Sequence, residues 1–243
     1  MIRAVLFDMG GTVLDFVRHG ARSWREWESR GIQGLYRHLL AQGHRLPAEE
    51  AFVAVMFERL AEGWNGARQG TANLQAIDWL TAGVAEYGIT LDEAAVANAL
   101  MAYIQPLRDG VHAIDGAASA LAELRTSGMS IGLISNTFWP AAVHLEDLSN
   151  LKLLPYFDHT LFSGDAGIWK PRPEIFDSML KRLDVTADEA IFIGDNPHDD
   201  IAGAQQAGMR ACWIRNTIFT AADIQPDAII ERYADLPDLI SHW

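Results

Sequence analysis

Apolar positions divide the chain of 243 residues into three stretches with different periods. Ile2, Ala4, Val5, Leu6 and Phe7 form a nearly continuous apolar run, the pattern of a strand covered on both faces. The run ends at Asp8, and Gly10-Gly11-Thr12 predicts a loop. From 16 to 110 the period is helical. Trp24, Trp27, Ile32, Leu35, Leu39 and Leu40 recur at spacings near three and four. So do Phe52, Val55, Met56 and Leu60, in a helix opened by Pro47. Leu74, Ile77, Trp79 and Leu80 mark a third helix; Leu91, Val96, Leu100 and Ile104 mark a fourth. Gly63-Trp64-Asn65-Gly66 and Tyr87-Gly88 read as breaks between helices. No strand pattern occurs in this stretch, so an all-helical insert is expected.

From 111 to 243 the pattern alternates. A helix near 115–127 leads to a strand Ile131–Ile134, and another helix leads to a strand Thr160–Phe162. A helix over Pro173–Leu183 precedes a strand Ala190–Ile193, and one over Asp199–Ala207 precedes a strand Ala211–Ile214. Ala228–Ile230 reads as an edge strand and Pro237–Trp243 as a short terminal helix. Such alternation predicts an α/β fold: a parallel sheet with helices on both faces, joined by right-handed crossovers. The expected division is a core of 1–15 and 111–243 interrupted by the helical segment 16–110. Ligands of such sheets bind beyond the carboxyl ends of the strands. Asp8, Ser135 and Asp195 each follow a predicted strand there.

Composition narrows the partners. Lys and Arg total 19 against 32 Asp and Glu, a formal net charge of −13. Such a surface repels nucleic acid and anionic membrane. With 49% hydrophobic and 21% charged residues the chain is globular in character. No run approaches the roughly 18 apolar residues of a membrane span, and the amino-terminal run is broken by Asp8, unlike a signal peptide. A cytoplasmic location and a small-molecule substrate are the expectation. The single cysteine, Cys212, falls in a buried strand pattern, is expected to be inert, and excludes an intramolecular disulfide or a cysteine metal cluster.

Four segments carry candidate chemistry. An Asp on a glycine turn commonly bonds its own turn. As a nucleophile, Asp8 would attack phosphorus and form an aspartyl phosphate. Gly10 and Gly11 would then let backbone N–H groups approach phosphoryl oxygens, and Thr12 would hydrogen-bond to fix the Asp8 carboxylate. Ser135-Asn136-Thr137 reads either as a helix N-cap or as a hydroxyl plus backbone N–H groups binding phosphate at a helix start. Lys170, one of three lysines, sits in a loop stiffened by Pro171 and Pro173, where it would neutralise the nucleophile and a transferring phosphoryl group. In Gly194-Asp195-Asn196-Pro197-His198-Asp199-Asp200, acidic helix capping accounts for Asp199 and Asp200 but hardly for Asp195. A hard cation accounts for the group better. Mg²⁺ would be held by Asp8, Asp195 and the Gly10 carbonyl, with Asp200 ligating through water or holding Lys170. His198 reads as a loop residue.

Together these segments resemble the haloacid dehalogenase-like hydrolase superfamily. Asp8-Met9-Gly10-Gly11-Thr12 is similar to its first motif, Ser135 to its second and Lys170 to its third. Asp195, with Asp200 five residues later, is similar to its fourth. The resemblance implies a Rossmann-like core, an all-helical cap after the first motif, Mg²⁺, and most often phosphate-ester hydrolysis. The expected protein is a monomer or homodimer acting on a small phosphate ester. One position departs from the pattern. The family's phosphatases carry a second Asp two residues after the nucleophile, as proton donor and later as base; here it is Gly10. General acid–base assistance is worth about 10²–10⁴-fold, so the loss matters.

Four readings follow: a phosphatase working without that acid, a metal-independent 2-haloacid dehalogenase, a phosphonate hydrolase, or a non-catalytic binder of a phosphorylated ligand or a protein partner. The third needs a lysine in the helical segment, and 16–110 contains none. Arg18, His19, Arg22 and Arg68 are candidate cap contacts to substrate, and Phe138-Trp139 candidate entrance residues.

Overall fold

A computed structural model describes residues 1–16, 21–215, 219, 223–241 and 243. The chain divides into two compact units, one of Met1–Asp15 with His112–Trp243 and one of Phe16–Val111. Among the described residues no helix is long and apolar enough to cross a membrane.

The first unit is built on a six-stranded sheet. Its strands are β1 (Ala4–Phe7), β4 (Ser130–Ser135), β5 (His159–Phe162), β6 (Ala190–Gly194), β7 (Arg210–Ile214) and β8 (Ala228–Ile230). Their order is β5-β4-β1-β6-β7-β8, and every pairing is parallel. β2 (Leu14–Asp15) and β3 (His112–Ala113) form a small antiparallel ribbon where the chain leaves and re-enters this unit. All four residues of β1 are buried, as its unbroken apolar run requires. β1 lies between β4 and β6, with Phe7 in register with Leu133 and Ile193. The carboxyl ends of these three strands are therefore neighbours. The strand order reverses between β1 and β6, the kind of switch point at which a crevice opens.

The helices of this unit are α5 (Ala117–Thr126), α6 (Ala141–Asn150), α7 (Ser163–Ala166), α8 (Pro173–Leu183), α9 (Gly203–Gln206) and α10 (Leu236–Ser241). α8 buries Ile175, Phe176, Met179 and Leu180 against Ala4, Leu6, Ile134 and Phe192 of the sheet. At about 1.5–3 kcal/mol for each apolar side chain removed from water, that face dictates how the helix docks. The segment expected as one helix over Asp199–Ala207 instead begins earlier, as a π-helical turn over Pro197–Ala202 that continues into α9. Asn196 caps it, its Oδ1 accepting from the N–H groups of His198 and Asp199.

The second unit contains α1 (Trp24–Ala41), α2 (Glu49–Gln69), α3 (Ala76–Ala85) and α4 (Glu93–Arg108). Ser23 caps α1 by accepting from the Glu26 N–H, and Asp92 caps α4 by accepting from that of Ala95. α1 and α4 approach closely at glycines: a Cβ on Gly34 would lie 2.3 Å from the Ala102 carbonyl oxygen. The sequence reading of Gly63–Gly66 as a break is corrected. α2 runs through it to Gln69 and ends at Gly70, whose φ is +74°. Gly63 is there for close packing, since a Cβ would come within 2.7 Å of Leu74 Cδ1. Trp79 is core, whereas Trp24 and Trp27 are half-buried. Glu28 is buried in this unit and accepts from Trp24 Nε1 (3.0 Å) and from the Tyr103 hydroxyl.

Candidate active site

Asp8 follows β1 directly, and its N–H donates to the Ile193 carbonyl of β6 at 2.9 Å. This continues the sheet ladder one residue further and fixes where the carboxylate starts. The chain then turns sharply. The N–H groups of Thr12, Val13 and Leu14 all donate to the Met9 carbonyl, at 3.3, 2.8 and 2.8 Å, and Gly11 N–H donates to the Leu14 carbonyl. Gly11 adopts φ +84°, open to glycine and strained for a residue with a Cβ.

Lys170 comes from the loop between α7 and α8, yet it is almost fully buried, at 1% exposure. Its ammonium donates to Asp8 Oδ1 (2.6 Å), Asp200 Oδ1 (2.6 Å) and the Ile134 carbonyl (3.0 Å). It also lies 5.2 Å from the centre of the Phe192 ring. Burial works against the charged ammonium, but Asp200 and Asp8 outweigh it and hold the Lys170 pKa above its ordinary value. Burial pushes Asp200 in the opposite sense for a carboxyl, up to about 7; Lys170 opposes the shift and Asp8 adds to it. Asp200 Oδ2 accepts from the Asn196 N–H at 2.9 Å, so both its oxygens are engaged. Gly194 leaves room for it: a Cβ there would fall 2.4 Å from Asp200 Cβ, Cγ and Oδ2.

Asp195 is buried at the end of β6, and its carbonyl accepts from Trp213 Nε1 at 2.8 Å. Asp8, Asp195 and Asp200 each offer a carboxylate oxygen, and the three oxygens lie within 4.8 Å of one another. Ser135 is buried at the end of β4. Residues from four separated segments thus meet at adjoining strand ends.

Several expected details differ. The segment Ser135–Thr137 is not at a helix start, because α6 begins at Ala141 after Pro140. The Asn136 side chain is tied to the lysine loop: its Oδ1 accepts from the Lys170 N–H (2.8 Å) and its Nδ2 donates to the Lys170 carbonyl (2.9 Å). It holds the lysine loop by the backbone N–H and carbonyl of the same residue, on either side of the Lys170 Cα. Thr137 Oγ1 pairs with His144 Nε2 and accepts from the Trp139 N–H. Thr12 does not fix the Asp8 carboxylate. Its hydroxyl is buried with no hydrogen-bond partner among the described residues, and its carbonyl accepts from the Tyr233 hydroxyl at 2.7 Å. His198 pairs with Asp199, 3.3 Å away, at the exposed rim of the π-helical turn. Phe138 and Trp139 are buried, and Trp139 stacks on His144. Cys212 is buried, which pushes its thiol up to about 12.

Arg18 and His19 lie outside the described residues. Arg22 lies in the second unit, where its N–H donates to Glu26 Oε2. The sequence does not announce Tyr233 or the pair of hydrogen bonds between Asn136 and the Lys170 backbone. Both join residues far apart along the chain, and neither has a local pattern that announces it.

Comparison with known proteins shows the family. Residues 2–208 match the family described as haloacid dehalogenase-like hydrolase. The chain is 27% identical over 221 residues to a glyceraldehyde 3-phosphate phosphatase of Pyrococcus abyssi, covering 88% of this chain and 82% of that one. It is 28% identical over 240 residues to a phosphoglycolate phosphatase of Yersinia pseudotuberculosis, covering 97% and 91%. Among solved structures, a 2-haloacid dehalogenase from Pseudomonas syringae pv. Tomato is similar at a TM-score of 0.74, with 28% identity over all of both chains. With its four motif segments assembled at one end of a parallel sheet, the chain belongs to the haloacid dehalogenase-like hydrolase family and is an enzyme.

Proposed function

We propose that the protein is a magnesium-dependent phosphatase of small phosphorylated metabolites, working through an aspartyl phosphate on Asp8. The observation that carries this reading is the charge balance at the strand ends. Three buried carboxylates, Asp8, Asp195 and Asp200, bring oxygens within 4.8 Å of one another, and the Lys170 ammonium bonds two of them, Asp8 and Asp200. All-oxygen donors of this kind fit Mg²⁺. Asp8, Asp195 and the Gly10 carbonyl are the groups that would hold it. Asp200, with both oxygens engaged, acts through water and through Lys170. When bound, the ion offsets negative charge on the phosphoryl oxygens and orients the ester.

The chain's own residues supply the rest. The Asp8 oxygen not held by Lys170 attacks phosphorus, and the bond from phosphorus to the ester oxygen breaks, its electron pair leaving with that oxygen. Lys170, charged throughout, stabilises the negative charge that gathers on the transferring group. The Ser135 hydroxyl and the Gly10 backbone N–H receive phosphoryl oxygens, whereas the Gly11 and Thr12 N–H groups, expected to help, already donate to the Leu14 and Met9 carbonyls. Water then attacks phosphorus and breaks its bond to Asp8, releasing inorganic phosphate and restoring the carboxylate. Gly10 has no proton to give, so the departing oxygen takes one from water or from the substrate itself. That favours leaving groups that are already stable as anions. The relatives named as phosphatases of glyceraldehyde 3-phosphate and phosphoglycolate support small phosphate esters as the substrate class.

A second reading has its own support. Gly10 and the similarity to a 2-haloacid dehalogenase suit a reaction in which Asp8 displaces halide from carbon, because halide leaves without a proton. The buried Asp195 and Asp200 argue against it. Phosphate release from a panel of small phosphate esters, with and without Mg²⁺, tests the proposal. Magnesium-dependent release, abolished in Asp8→Asn, is expected. Halide release from 2-chloropropionate without metal would establish the second reading. Ligand binding with neither turnover would establish a non-catalytic role.

A further inference from the structure

Tyr233 lies in the carboxyl-terminal segment, beyond residue 208 where the family match ends. It is nonetheless built into the nucleophile's surroundings. Its hydroxyl donates to the Thr12 carbonyl at 2.7 Å, across 221 residues of sequence. Its ring centre lies 6.4 Å from that of Phe7, the residue immediately before Asp8. Its Cβ abuts Gly116, where an added Cβ would approach to 3.1 Å and where φ is +85°. The side chain is 2% exposed.

The turn that Tyr233 reaches is otherwise held largely from within. Three of its N–H groups converge on the Met9 carbonyl, and the Ile114 N–H donates to the Val13 carbonyl. The Thr12 carbonyl takes no part in those bonds, and among the described residues the phenol is the donor that reaches it in this buried turn. Burial, together with the charges of Asp8 and Asp195, pushes the phenol's pKa upward. The hydroxyl therefore keeps its proton, and so its role as donor, over the working range of a hydrolase.

We infer that Tyr233 is a positioning residue: through the Thr12 carbonyl it holds the turn Met9–Leu14, and with it the backbone beside the attacking Asp8 carboxylate, in the reactive geometry. The inference rests on Asp8 being the nucleophile. Misplacement of a reacting group by about 1 Å can cost on the order of 10²-fold in rate, so a slack turn has a kinetic signature. The phenol thus ties Tyr233, which lies beyond the family match, to the turn beside Asp8.

The test is Tyr233→Phe, which keeps the ring and removes the bond. Tyr36→Phe is the comparison variant. It removes the same kind of bond, from the Tyr36 hydroxyl to the Pro47 carbonyl at 2.9 Å, in the helical unit. Each purified protein is assayed with p-nitrophenyl phosphate and Mg²⁺, by thermal unfolding, and by hydrogen exchange of the amides of Thr12, Val13 and Leu14. For Tyr233→Phe the expected result is a fall in kcat of about tenfold with KM within twofold, and exchange at those amides faster by about tenfold. Tyr36→Phe is expected to lower the melting temperature while leaving kcat and those amides unchanged. If Tyr233→Phe melts lower but leaves both kcat and the turn's exchange as in the wild type, Tyr233 is a core residue only and the inference fails. If the wild type hydrolyses no phosphate ester, the proposed function fails, and the exchange readout still decides whether the phenol holds the turn.

Discussion

Replacing Lys170 by Met keeps the length and most of the volume of the side chain and removes its charge. In the wild type the ammonium is buried and donates to two carboxylates and a carbonyl, at 2.6, 2.6 and 3.0 Å. Lys170→Met leaves Asp8 and Asp200 buried beside each other without their shared cation. Removing one partner of a buried ion pair costs about 3–5 kcal/mol. For a chain of this size that lowers the melting temperature by on the order of 10 °C.

The loss should depend on pH in a definite direction. Burial already pushes Asp200 up to about 7, well above its ordinary value of 3.8. A carboxyl whose pKa is raised on folding favours the folded state most at low pH, and that contribution is lost as pH rises from about 4 through the folded-state value. Without Lys170 the raised value climbs further, so the variant suffers most at neutral pH and recovers on acidification. Thermal unfolding of metal-free wild type and variant at pH 5 and pH 7 reads this directly. The gap in melting temperature should be wide at pH 7 and narrow at pH 5. A gap below about 2 °C at pH 7, or one that widens at pH 5, would refute the view that Lys170 is the compensating charge of the cluster.

Asn136→Ala removes both bonds to the Lys170 backbone N–H and carbonyl. A fall in kcat of about 10–100-fold is expected in steady-state assays. Asn136→Asp, which retains the acceptor for the Lys170 N–H, should fall between the alanine variant and wild type. Gly10→Asp places a carboxyl two residues from Asp8 and, on the proposed mechanism, should raise turnover of alkyl phosphates by up to about 10²-fold. It should also flatten the dependence of rate on leaving-group acidity across a series of phosphate esters. An unchanged or lower rate would count against the missing-acid account.

Local information was enough for the parts of this protein that repeat a simple period. The buried run Ala4–Phe7, the helix Pro173–Leu183 and the edge strand Ala228–Ile230 are legible because the spacing of apolar residues reports directly which face meets the core. Asp8, Ser135 and Asp195 stand out because each closes an apolar strand where a parallel sheet opens its crevice, and Lys170 because it sits in a loop stiffened by Pro171 and Pro173. The sequence could not say whether a glycine bends the chain or admits a neighbour. Gly63 looked like a break and is a packing contact inside α2, a distinction that depends on where Leu74 lies in space. Nor could it assign partners to polar side chains. Thr12 was expected to serve Asp8 and instead presents its carbonyl to Tyr233, while Asn136 clasps the lysine loop. Hydrogen bonds last only a few ångströms and join residues up to 221 positions apart, so they belong to the folded chain; hydrophobic periodicity belongs to each segment, and that is why one could be read in advance and the other could not.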